Sequence, residues 1–99
     1  MIQHVVMWKL VANESEERAE IIEQMVSRLG ALMGQIPGLS SIRVTADLRE
    51  MDSNYDVCLI SVHESHAALD VYRVHPAHKE FADWLSPKVA DRASVDSEI

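Results

Sequence analysis

The stretch Ile2-Gln3-His4-Val5-Val6-Met7-Trp8-Lys9 opens the chain with β-branched and bulky side chains and reads as a strand. One face carries Ile2, His4, Val6 and Trp8, and the other carries Val5 and Met7. A sheet with one solvated face alternates apolar and polar residues along its strands. This segment is apolar on both sides. Residues 55–62, Tyr-Asp-Val-Cys-Leu-Ile-Ser-Val, repeat the pattern, with Cys58, Ile60 and Val62 backing onto Val57 and Leu59. Both segments therefore belong to a sheet that is covered on each face.

Between these two strands, Asn13 suits a helix N-cap, with Glu16 three residues on as its capping-box partner. Glu14, Glu16, Glu17 and Glu20 favour the positive end of a helix dipole. Ile22, Met25, Val26, Leu29, Leu32 and Met33 recur at helical spacing, Gly34 is the expected stop, and Pro37-Gly38 makes a turn. Residues 40–46 form a further strand, with Ile42, Val44 and Ala46 on one face and Ser41, Arg43 and Thr45 on the other. Residues 47–54 are polar and read as a loop.

After the third strand, Ser65 caps a helix with Ala68, Leu69 and Tyr72 on one stripe. Pro76 disfavours helical geometry at His75 and suits the first turn of a new helix. That helix carries His78, Phe81, Ala82 and Leu85 inward with Trp84 beside them, until Ser86-Pro87 ends or kinks it. Val89, Ala93 and Val95 mark a last short strand over 89–96.

The order is β-α-β-β-α-β, an α+β ferredoxin-like arrangement with a four-stranded antiparallel sheet and its helices on one face. The 99 residues form one domain, 1–99, with nothing left to cover the second face. The simplest cover is a second copy of the chain, packed through Val5, Met7, Cys58, Ile60 and Val62 as a two-fold homodimer.

A formal charge of −7 argues against nucleic acid, whose phosphates need clustered Lys and Arg, and against an anionic membrane surface. Cys58 is alone, so no intrachain disulfide forms. The start has no basic n-region followed by an apolar core, and no run reaches transmembrane length. The expected location is the cytoplasm.

The chemistry concentrates in Tyr72-Arg73-Val74-His75-Pro76-Ala77-His78. Tyr72 and His78 both fall on apolar stripes, so their polar tips point inward. A phenol and an imidazole converging on an apolar interior can exchange protons with a small apolar ligand. His78 is the candidate base and Tyr72 the candidate hydrogen-bond donor. His4, Trp8, Val26, Leu59, Phe81 and Trp84 are the candidate ligand wall. The competing reading makes Tyr72 and His78 core residues whose polar atoms are satisfied by backbone. His75, just before Pro76, suits a structural cap. A metal site is the next option, with His75 and His78 three apart and His4 and His63 able to approach, but the proline disturbs the common face of the pair and no carboxylate pattern completes a set.

Four segments together resemble the stress-responsive A/B barrel domain (Dabb) family of the dimeric α+β barrel superfamily. They are His4-Val5-Val6-Met7-Trp8-Lys9-Leu10, Ile36-Pro37-Gly38, Tyr55-Asp56-Val57 and Tyr72-Arg73-Val74-His75-Pro76-Ala77-His78. The resemblance implies a homodimer whose sheets pack together, with a pocket in each protomer between sheet and helices. Most members have no known reaction. A plant polyketide cyclase of the family closes a ring by aldol-type chemistry on a linear polyketide thioester, without metal or organic cofactor. This chain is similar to it from Tyr55 to His78. The similarity implies that Tyr72 and His78 are catalytic and that His4 belongs to the pocket. It implies no cofactor, and a polyketide-like or β-dicarbonyl ligand. Val57 stands where that enzyme has a histidine, and Ile22 and Met25 where it is aromatic, so a different pocket shape is expected. The alternatives are a ligand-binding stress protein without chemistry and, further off, a monooxygenase of the superfamily.

Overall fold

The computed structural model describes residues 1–99. Its elements are β1 (Ile2–Leu10), α1 (Ser15–Gly30), β2 (Leu39–Ala46), β3 (Val57–His63), α2 (His66–Val74), α3 (Pro76–Leu85), a 3₁₀ turn over Ser86–Lys88, and β4 (Val89–Glu98). The strands form one sheet in the order β2-β3-β1-β4, and every neighbouring pair is antiparallel. This is the ferredoxin-like β-α-β-β-α-β fold, its second crossing broken into two helices at Pro76. The strands that read as apolar on both faces, β1 and β3, occupy the centre. The edge strands β2 and β4 carry Arg43, Thr45, Asp91 and Arg92, polar side chains of the kind that keep open edges from pairing with other chains.

Register sorts the faces. His4, Val6, Trp8 and Leu10 of β1 and Val57, Leu59, Ser61 and His63 of β3 are buried towards the helices. Of these, Val6, Trp8, Val57 and Leu59 pack with Met25, Leu29, Leu69, Tyr72, Phe81 and Leu85 into one core. On the opposite face Val5, Cys58, Ile60 and Val62 are half-exposed, while Met7 and Val95 are exposed. That second face is apolar and bare within one chain.

Several local expectations need correction. Asn13 does not cap α1. Glu14 holds the N-cap position without a side-chain bond, and the Arg18 guanidinium ties the entry by donating to the carbonyls of Ala12 and Asn13. The helix stops at Gly30 rather than Gly34. Beyond it the chain tightens into i→i−3 bonds, Leu32 N–H to Leu29 and Met33 N–H to Gly30, and Gly34 takes φ +82°. On α1 the inner stripe is Met25 and Leu29, continued by Leu32 in the turn beyond it, whereas Val26 is 47 % exposed. One residue past Met25 is a 100° rotation, enough to turn Val26 away from the sheet. β3 begins at Val57 rather than Tyr55, because buried Asp56 turns its carboxylate to accept the Leu10 N–H at 2.8 Å and pairs with Arg49. β4 runs to Glu98, pairing with β1 along its whole length. The caps at Ser65, which accepts from Ala68 N–H, and at His75, whose Nδ1 accepts from Ala77 N–H, are as expected.

Candidate functional site

A cavity of about 400 Å³ lies between the helix-facing side of the sheet and α3. β1 contributes His4, Val6 and Trp8, and β3 contributes Leu59. α1 supplies Leu29, and α2 supplies Tyr72. His78, Phe81, Ala82 and Leu85 come from α3, and Arg92 from β4. The alternation of β1 brings three of these to one face, and helical spacing brings Phe81 and Leu85 to the facing wall.

Four rings meet at one end. The centroid of Tyr72 lies 4.4 Å from that of His78, 4.7 Å from that of His63 and 6.1 Å from that of His4. The break at Pro76 makes this convergence: α2 ends after Tyr72 and α3 restarts so that His78 returns over the same cavity. Nδ1 of His78 donates to the Arg73 carbonyl at 3.3 Å, which leaves Nε2 as the basic nitrogen. Burial lowers the pKa of His78 from 6.5, against the opposing pull of that carbonyl. Burial also raises Tyr72 to about 12, with the Arg92 charge acting the other way. The Tyr72 hydroxyl is buried and has no hydrogen-bond partner in the protein.

His4 is held differently. Its Nδ1 pairs with the Asp96 carboxylate, whose second oxygen accepts from Arg73 at 2.9 Å, and Arg73 also holds Asp70 at 2.8 Å. Burial pushes Asp96 up, but the His4 hydrogen bond and the Arg73 charge outweigh it, so its pKa sits below 3.8. With Nδ1 engaged, His4 has Nε2 available.

Trp84 and Val26 lie outside the lining. Trp84 stacks between the Arg28 guanidinium at 4.4 Å and the Lys88 ammonium at 4.5 Å, behind Phe81. The other candidate residues, Tyr72, His78, His4, Trp8, Leu59 and Phe81, come together at the cavity. Sequence reasoning missed Arg92 and Asp96, which share the helix-facing side of β4. Their i,i+4 spacing in a strand was the available signal, but the β1–β4 register that sets Asp96 opposite His4 is not legible from either strand alone. No group of three or more His, Cys, Asp or Glu is arranged to hold a metal ion.

His63, expected only as a histidine able to approach His4, lies with its ring centroid 6.3 Å from that of His4. It is fully buried, bonded through Nε2 to Ser61 Oγ at 2.9 Å, with Nδ1 unpartnered. Desolvation, reinforced by His4, lowers its pKa from 6.5 to about 4. The unfolded chain therefore binds a proton in this window that the folded chain refuses. Stability from this group is full above pH 6.5 and is lost as pH drops towards 4. His78 adds a loss of the same sign, while Asp96 acts only below 3.8. Urea unfolding at pH 7.5 and pH 4.5 should show the loss, and His63→Leu should shrink it. An unchanged pH dependence in that variant would place the acid sensitivity elsewhere.

A model of the Stress responsive A/B Barrel Domain matches residues 2–99. None of the curated proteins matches the chain. Among solved structures, a dimeric protein of unknown function with a ferredoxin-like fold from Bacteroides fragilis NCTC 9343 is 23% identical, with a TM-score of 0.88 over 99% of this chain and 95% of its own. A dimeric ferredoxin-like protein of unknown function from Jannaschia sp. CCS1 is 26% identical, with a TM-score of 0.79 over 99% and 98%. Hydroxynitrile lyase from Passiflora edulis is 19% identical, with a TM-score of 0.81 over 99% and 92%.

Proposed function

We propose that this chain, which belongs to the stress-responsive A/B barrel domain (Dabb) family, is a homodimeric small-molecule-binding protein. In this reading its cavity carries out cofactor-free proton transfer on a small carbonyl compound, as a lyase or cyclase. One observation carries it: the Tyr72 hydroxyl is buried beside His78, at the wall of an apolar cavity, with no protein partner. A buried hydroxyl without a partner costs stability, and a group held so calls for a partner from outside the protein, which a ligand in the cavity would supply. Tyr72 would donate to a carbonyl oxygen as it gains charge, and its raised pKa keeps the phenol protonated for that role. Nε2 of His78 would take the proton from the carbon beside that carbonyl and return it. A polyketide-like or β-dicarbonyl compound has such acidic carbons.

Two further observations support the reading. The bare face with Val5, Met7, Cys58, Ile60 and Val62 suits a second copy, and relatives of this fold are described as dimeric. The fold also hosts a hydroxynitrile lyase in Passiflora edulis. The bond from His78 to the Arg73 carbonyl favours a second reading, in which the ring only pins the α2–α3 break and the cavity holds a ligand without chemistry.

Tyr72→Phe separates the two. It removes an unsatisfied buried hydroxyl, so stability should stay level or rise by about 1 kcal/mol. Turnover of β-diketone and polyketide-type thioester substrates should fall by about a hundredfold. Unchanged turnover of a confirmed substrate by Tyr72→Phe would sink the catalytic reading.

A further inference from the structure

Arg92 projects from β4 into the cavity lining, opposite Trp8 in the strand register. It is the one full positive charge on that lining, and it takes part in no ion pair. Its side-chain partner is the neutral Ser94 hydroxyl at 3.4 Å. The acids that could neutralise it are engaged elsewhere. Asp91 reaches the Tyr55 hydroxyl at 2.9 Å and the Arg92 backbone N–H at 2.8 Å. Asp96, on the same face of β4, is held by His4 and Arg73. Arg92 is itself exposed, so its guanidinium stands at the open rim of the apolar cavity with no carboxylate of the chain occupying it.

The cavity is polar at both ends and apolar between them. His4 and Trp8 are four residues apart on β1, about 13 Å along the strand. The ring cluster of Tyr72 and His78 gathers at the His4 end, and Arg92 stands at the Trp8 end. Val6, Leu59, Phe81 and Leu85 line the interval. We propose that the ligand is a carbonyl compound bearing a carboxylate. Its carbonyl lies at Tyr72 and His78, its apolar body lies against Val6 and Phe81, and its carboxylate is clamped by the Arg92 guanidinium. A planar fork of N–H donors matches both carboxylate oxygens. The same positive charge acts on Tyr72 and His78, so the carboxylate also screens the groups that move protons. This inference rests on the cavity reading above and adds the charge of the ligand to it.

Calorimetric titration of the full chain with 4-oxo-4-phenylbutanoate and with its uncharged primary amide tests it. The wild type should bind the carboxylate at least about tenfold more tightly. Arg92→Gln should abolish that preference, and Arg92→Lys should keep part of it, because the charge remains and the fork is lost. Lys79→Gln, an equal change of charge on the exposed side of α3, should leave it intact. Amide binding with no carboxylate preference, or a preference that survives Arg92→Gln in a folded variant, overturns the assignment and leaves the cavity reading standing. Binding of neither compound overturns both.

Discussion

Replacing His78 by alanine is expected to cut kcat/KM for a carbonyl substrate of the cavity by about 10²- to 10⁴-fold, the usual worth of a positioned general base. The geometry gives the reason: Nδ1–H is committed to the Arg73 carbonyl, so Nε2 is the nitrogen left to accept a proton. His78→Gln sharpens the test. A glutamine amide can still donate to that carbonyl but offers no basic nitrogen. If His78 is the base, Gln and Ala lose turnover alike, while Gln keeps more of the melting temperature. If His78 only pins the helix break, Gln restores what Ala loses in both. The pH profile gives an independent check. Burial lowers the imidazole pKa below 6.5, and a base works when unprotonated. The rate should therefore rise with pH through a value below 6.5 and be level at neutrality. An acid limb centred at or above 6.5 would assign it to another group.

How far the sequence carried this reading differs from element to element. The two-sided apolarity of residues 2–9 and 57–62 located the central strands, because a strand buried on both faces cannot hide its composition. Pro76 located the helix break for a similarly local reason. Helix 1 was harder to place. Its apolar run from Ile22 to Met33 is wide enough to fit two adjacent stripes, and contact with the sheet selected Met25, Leu29 and Leu32 over Val26 and Met33. At the site, Tyr72, His78 and His4 were legible because each sits on the buried stripe of its own element. Arg92 and Asp96 were not, since their places at the cavity depend on the β1–β4 register. Asp96 meets His4 through a β1–β4 register spanning 92 positions of sequence. His63 lies at the end of β3, where an end residue reads equally well as loop. Trp84 shows the converse error: an aromatic residue near an inner stripe reads as cavity wall, yet two cations hold its ring behind Phe81.

Gly38→Ala is expected to destabilise the fold by about 2–5 kcal/mol, the sum of two separable penalties. Gly38 has φ +82°, the left-handed region, where an added Cβ meets the following carbonyl. That strain costs about 1–2 kcal/mol. The new Cβ would also stand 2.6 Å from the Cβ of Ala68 and 3.6 Å from its Cα. This is contact with a short side chain on a helix, so nothing flexible can swing aside, and overpacking of this kind costs about 1–3 kcal/mol. Gly34 supplies the control. It has the same φ of +82° but open space around the added carbon, so Gly34→Ala should cost only the strain, about 1–2 kcal/mol. Adding Ala68→Gly to Gly38→Ala removes the clash but places glycine in α2, which returns a penalty of about 1 kcal/mol. Urea unfolding of the four proteins, followed by tryptophan fluorescence, reads each term. Equal destabilisation by Gly38→Ala and Gly34→Ala would show that the α2 contact yields. The contact matters to the site because the Gly38 carbonyl accepts the Glu64 N–H at 2.9 Å, just ahead of the Ser65 cap. The turn at Pro37-Gly38 thus seats the first turn of α2, the helix that presents Tyr72 to the cavity. A clash there should lower ligand affinity along with stability, whereas the strain at Gly34, whose added carbon touches nothing within 4 Å, should lower stability alone.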